Sequence, residues 1–161
     1  MNGDYLGCYF LCEHVRVGRA RVNIDELTAE AVEKPEIQGG YLLAMNAGWG
    51  TPQENVLETA RNETFEIVSP NLSPANGGYE SKAQRDYILD YVQRAEDAIF
   101  AADGSWTAYL DEQSLIDFWW IQEFSVNKDG FATPSNFLYK PRTEADGRRG
   151  QAALRPPVGP G

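Results

Sequence analysis

Leu115, Ile116, Phe118, Trp119, Trp120, Ile121 and Phe124 fall nearly all the way round the axis of a helix running from about Asp111 or Ser114 to Ser125. A helix that is apolar on every side has to be enclosed. The run therefore predicts a buried central helix with the rest of the domain built about it. Adjacent helical positions point about 100° apart, so at least one of Trp119 and Trp120 belongs to that core. Ser114, three residues ahead of Asp117, is a weak form of the capping box at its start.

A second helix is expected from Ser81 to Ala101. Ile88, Tyr91, Val92, Ala95 and Ile99 make one stripe, and Arg85, Asp86, Asp90, Arg94 and Asp97 lie toward water. Asp103-Gly104 ends it.

Strand patterns lie mostly ahead of these helices. Tyr5 to Cys12 is apolar on both faces, as a covered strand would be, and Asn2-Gly3 before it is a hairpin signal. A turn with only Met1 ahead of it suggests a chain that starts in mid-domain. Short strands are expected at Arg19–Ile24, Gly39–Met45 and Thr64–Val68, with a short acidic helix at Asp25–Val32 and no clean period from Asn46 to Glu63. Pro70 and the Pro74–Gly78 cluster break the chain before the first long helix. A last short strand is expected at Phe137–Tyr139. Strands, then two helices, then a loop and a strand is an α+β order and not a βαβ repeat.

The chain of 161 residues is about one domain long. Its net charge of −10 argues against a nucleic-acid partner, which clustered cations would hold. It also means that a nucleotide would need a divalent cation between its phosphates and the protein. Charge is uneven: residues 141–161 hold four arginines against two acids and four of the nine prolines, so the remainder carries −12. We read 1–140 as the domain and 141–161 as a basic, disordered Pro/Gly-rich tail. No apolar run reaches the length of a membrane span, and the start lacks the layout of a signal peptide. Cys8 and Cys12 would lie roughly 13 Å apart along a strand, beyond disulfide reach. They and the single histidine, His14, do not make a zinc cluster.

Chemistry is expected in the turn after the apolar helix. Asn127-Lys128-Asp129-Gly130-Phe131 and then Ser135-Asn136-Phe137 put a carboxylate, Asp129, and an amide, Asn136, at the two ends of a short connection into a strand. Such residues also serve ordinary turns as local caps. A base held beside a rigid helix is what proton transfer requires, and an amide oxygen is a neutral ligand for magnesium. Asn127 is suited to tying the loop or placing a substrate hydroxyl. Glu123, near the helix C-terminus, needs a partner, for which Arg85 is a candidate. No Gly-x-Gly-x-x-Gly or Walker loop occurs in the chain.

These blocks resemble the spore coat protein H family, whose members have an atypical protein-kinase-like fold. The matching segments are Asn2–Val15, Arg21–Ile24, Gly39–Leu43, Tyr87–Ala98 and Leu115 through Lys140. The resemblance implies a partial fold of that kind, an N-terminal hairpin or sheet remnant followed by a mainly helical lobe. It implies ATP-dependent transfer of phosphate to Ser or Thr of a coat or surface protein, with ATP and Mg2+ as cofactors. Asp129 resembles the catalytic aspartate, with Asn127 beside it, and Asn136 the metal-binding asparagine. The Glu13 segment resembles the sheet edge that leads into the nucleotide-binding hinge. Spore coat, cell surface or extracellular placement is what the family suggests.

Departures from the family pattern are plain. Ala44 stands where relatives carry an acid, and neither the nucleotide-covering strands nor an acidic Trp-Asp-Phe-Asp-like segment after Lys140 is found. A shifted reading frame or truncated gene would give the basic Pro-rich ending that replaces it, and the chain is expected to be an inactive fragment. Two other functions fit the residues: a non-catalytic surface or coat-associated binding module with an acidic face for a basic partner, and a carbohydrate-active hydrolase using Glu123 and Asp129.

Overall fold

The computed structural model describes residue 7, residues 14–45, residue 48, and residues 50–127 and 136–143. Four strands, β1 (Tyr41–Ala44), β2 (Val56–Glu58), β3 (Thr64–Ser69) and β4 (Phe137–Lys140), and two helices, α1 (Lys82–Ala101) and α2 (Glu112–Phe124), make up the regular structure. The sheet is antiparallel throughout, in the order β2-β3-β1-β4. The α+β class is therefore as expected, with an antiparallel sheet mostly ahead of two helices.

β1 is the central strand. All four of its residues are buried, and it pairs with β3 on one side and β4 on the other, with Leu43 opposite Ile67 and Leu138. Strands buried on both faces read as continuous apolar runs, as Tyr-Leu-Leu-Ala does. β4 comes last in the chain yet closes the sheet beside β1. It thereby brings Asn136, one residue ahead of it, beside the interior strand β1. β2 lies inside the stretch that showed no period, because three residues are too few to display one.

The glycine pair ahead of β1 has a packing reason. A Cβ on Gly39 would stand 2.5 Å from the backbone of Pro141 and Arg142, and one on Gly40 2.5 Å from the Asp25 carbonyl oxygen. The Gly40 N–H donates to that same carbonyl at 3.1 Å. Residues 141–143 thus pack against the domain, and Arg142 Nε reaches Asp25 at 3.6 Å. The rest of the expected tail, from residue 144, lies outside the described residues, as do the Tyr5–Cys12 strand apart from Gly7 and both cysteines.

Two expected elements are corrected. Arg19–Ile24 is not a strand of the sheet but makes one isolated bridge, Val17 to Val22. Asp25–Val32 is not helical, because its carbonyls are taken from outside. Gln84 of α1, fully buried, donates through Nε2 to Thr28 O at 2.8 Å and Ala31 O at 3.0 Å. Its Oε1 accepts from the Tyr79 hydroxyl at 3.0 Å. A buried amide with both ends engaged is satisfied and in turn satisfies the carbonyls of the irregular segment.

α1 starts where Ser81 Oγ accepts the Gln84 N–H and stops at Ala102, which is left-handed at φ 53°. Ile88 and Ala95 are buried on the predicted stripe, while Ile99 is 49% exposed. The turn between β2 and β3 is tied to this helix by Glu96, which accepts from Thr59 Oγ1 at 3.0 Å, Arg61 Nη1 at 3.2 Å and Gln93 Nε2 at 3.0 Å.

α2 departs most from expectation. Asp111 is its N-cap, accepting the Ser114 N–H at 2.7 Å, so Ser114 is the recipient of the cap and not its source. Ser114 is buried and Leu115, Phe118 and Gln122 are half-buried. The opposite side is open: Ile116, Trp119, Trp120, Ile121 and Phe124 are exposed, Trp120 by 60% and Phe124 by 92%. The helix is not a buried central one, and neither tryptophan belongs to the core. Only one stripe of α2 is met by described residues, and the other faces away from them.

Candidate functional site

Asn127 follows the end of α2. Ser125 Oγ donates to Ile121 O at 2.7 Å, and Val126 turns left-handed at φ 52°. That reversal brings the Asn127 N–H onto Gln122 O at 3.0 Å and its Nδ2 onto Gln122 Oε1 at 2.7 Å. Asn127 is exposed, and its side chain is joined to that of Gln122 on the last turn of the helix. The Ser125 hydroxyl and the Asn127 backbone N–H close main-chain carbonyls that the helix end leaves open.

Asn136 sits at the other end of the connection, one residue before β4. It is 8% exposed, and its carbonyl accepts the Met45 N–H at 2.9 Å, extending the β1–β4 ladder by one bond. Asn136 is therefore held by the middle of the sheet. Asp129 and Glu13 lie outside the described residues. Asn127 is thus held through its side chain and Asn136 through its backbone carbonyl, on either side of residues 128–135.

Glu123 is exposed on the last turn of α2, and its expected partner is engaged elsewhere: Arg85 Nη2 donates to Val56 O at 2.7 Å. The Glu123–Arg85 pair is not formed. His14 is exposed, and its carbonyl accepts from Arg21 Nη1 at 3.3 Å, in keeping with a surface role. Ala44, where the family pattern has an acid, is 1% exposed between β3 and β4, a position at which a carboxylate would be desolvated.

One feature had no sequence signal of its own. A cavity of about 300 Å3 lies between the sheet, α1 and the start of α2, lined by Leu43, Leu138, Ile88, Tyr91, Val92 and Leu115 among others. Glu63 and Glu96 contribute to its wall, as does Lys140. Such a lining favours an apolar occupant over a phosphate.

Lys140 ends β4 and is 2% exposed. Its Nζ donates to Gln38 O and, at 3.4 Å, to Pro141 O. It lies 4.8 Å from the Tyr91 ring centre and 5.6 Å from that of Tyr87. Burial pushes its pKa down to about 8. The strand register explains its position, since Lys140 pairs with Tyr41 in the central strand. Alternation along Phe137–Lys140 gave no hint that the cation faces inward.

Among the described residues no group of three or more His, Cys, Asp or Glu is arranged to hold a metal ion. Magnesium takes six oxygen ligands and usually one or two carboxylates, so a single neutral amide, Asn136, does not by itself fit a metal-bound triphosphate. No helix among the described residues is long and apolar enough to cross a membrane. Compared with family models, with curated proteins and with solved structures, the chain finds no match.

Proposed function

We propose that these residues belong to an ATP-dependent phosphotransferase of the spore coat protein H type, acting on Ser or Thr of a protein partner. The observation that supports this reading is the anchoring of Asn127 and Asn136. One is tied to the end of α2 through Gln122 and the other to β1 through Met45. A connection held at both ends is suited to presenting a carboxylate, because phosphoryl transfer depends on positioning and charge stabilisation more than on covalent chemistry.

In this reading Asp129 takes the proton of the substrate hydroxyl, Asn127 restrains the loop that carries it, and Asn136 offers a neutral oxygen. Bound ATP with magnesium would supply the transferable phosphoryl group. The described residues do not complete a site for that pair, so no step is assigned through it.

The test is isothermal titration of ATP into the chain, extended by whatever residues its gene encodes on either side, with and without magnesium. Magnesium-dependent heat that is weakened by Asn136→Ala and kept by Asp129→Asn, whose role is in the transfer step, supports the reading. No heat on the extended chain overturns it. A second reading, a surface binding module without catalysis, is favoured by the exposed apolar side of α2, and it predicts the second result.

A further inference from the structure

We propose that the open side of α2 is a docking surface for a basic amphipathic helix of another polypeptide. It uses none of Asn127, Asp129 and Asn136 and needs no nucleotide. Its failure would leave the phosphotransferase reading standing, and the reverse also holds.

Ile116, Trp120 and Phe124 stand at i, i+4 and i+8 and form one exposed stripe, flanked by Trp119 and Ile121. The two indole rings meet edge to face at 4.9 Å, which presents a broad rigid surface. Scattered apolar residues on a protein surface need no explanation, but a contiguous strip of large ones marks a contact. Tryptophan is among the residue types that dominate binding energy at interfaces, and phenylalanine is enriched there. Helix-in-groove and helix-on-helix recognition read such a stripe through anchors at the same spacing.

Charge decides what the partner is. From Ala95 to Asn127 the chain holds seven carboxylates, at Glu96, Asp97, Asp103, Asp111, Glu112, Asp117 and Glu123, and no Lys, Arg or His. Glu96 and Asp97 are answered by Arg61, at 3.2 and 2.5 Å, and that guanidinium also covers the Phe100 ring at 4.4 Å. The carboxylates of α2 itself, Glu112, Asp117 and Glu123, are exposed and belong to no ion pair among the described residues. A second copy would bring like charges together around this stripe, and an anionic lipid surface would meet the same repulsion. A helix with apolar anchors and flanking Lys or Arg satisfies both the apolar strip and its acidic border.

The test uses the full chain and three synthetic peptides: an amphipathic Leu/Lys helix, a scrambled peptide of the same composition with no apolar face, and an amphipathic Leu/Glu helix. Tryptophan emission and isothermal titration are read at low and high salt. The expected result is saturable binding of the Leu/Lys helix alone, with a blue shift, weakened as salt rises.

Trp120→Ala and Phe124→Ala each reduce that affinity at least roughly tenfold while circular dichroism stays unchanged, since both side chains are exposed. The combined variant Glu112→Gln, Asp117→Asn, Glu123→Gln removes the salt dependence and keeps the apolar stripe. Absence of binding overturns the proposal. So does equal binding of the scrambled or Leu/Glu peptide, or affinity untouched by Trp120→Ala and Phe124→Ala. Sedimentation showing self-association that Trp120→Ala abolishes would give the surface to a second copy and equally overturn it.

Discussion

The ammonium nitrogen of Lys140 lies 4.8 Å from the centre of the Tyr91 ring, so the last residue of the sheet rests on the face of the longest helix. Carbonyls of Gln38 and Pro141 take its protons on the other side. A cation at this depth is tolerated because ring faces and carbonyls replace part of its hydration, and burial still lowers its pKa from 10.5 to about 8.

This arrangement sets a pH dependence. Between about 8 and 10.5 the unfolded lysine keeps a proton that the folded one has lost, so stability rises with pH in that window. Tyr41, Tyr79 and Tyr87 act in the opposite sense, since burial raises each above the usual 10.0. Above that value their phenols ionise first in the unfolded chain and stability falls. Urea unfolding at a series of pH values should therefore show a rise from pH 8 followed by a fall above about 10, and Lys140→Met should remove the rise while leaving the fall.

Gln84 links α1 to the irregular segment before β1 by two bonds from Nε2 and one to Oε1. Gln84→Leu leaves the Thr28 and Ala31 carbonyls and the Tyr79 hydroxyl without that partner. Its expected cost is about 2 to 3 kcal/mol, read as a lower urea midpoint. Hydrogen exchange should lose protection at the Ala31 amide, which donates to Thr28 O at 3.1 Å.

Gly40→Ala places a methyl 2.5 Å from the Asp25 carbonyl oxygen, with Ile24 at 2.9 Å. Neither is the end of a flexible chain, so the backbone has to shift. A loss of about 2 kcal/mol or more is expected from overpacking, seen as a fall in melting temperature. Ala44→Asp should also destabilise by a comparable amount, because the position is 1% exposed.

Glu96 gathers Thr59, Arg61 and Gln93. Glu96→Leu should cost about 2 kcal/mol, the scale of a lost charged hydrogen bond that strands its neutral partners. A double-mutant cycle with Thr59→Val measures the share that belongs to that single bond.

The sequence was most legible where a pattern was long or fully enclosed. α1 shows its period over twenty residues, and the β1 run Tyr-Leu-Leu-Ala lies within the short strand expected at Gly39–Met45 and is buried throughout. Legibility failed where partners came from far along the chain. The helix expected at Asp25–Val32 was displaced by Gln84, more than fifty residues away, and β2 is too short to show alternation. The apolar surround of α2 gave the right helix and the wrong environment: composition says that a surface must be covered, and not by what. For the site, Asp129 and the connection that carries it lie outside the described residues, and the inward turn of Lys140 depends on register with Tyr41 and leaves no trace in the local sequence.

The phosphotransferase reading is tested most directly by incubating the gene-extended chain with magnesium and ATP labelled on the γ-phosphate, together with a Ser-rich basic acceptor protein. The account predicts label on Ser or Thr of the acceptor, lost with Asp129→Asn and strongly reduced with Asn136→Ala while circular dichroism is unchanged. Transfer that survives Asp129→Asn, or no transfer at all by the folded protein, would contradict it.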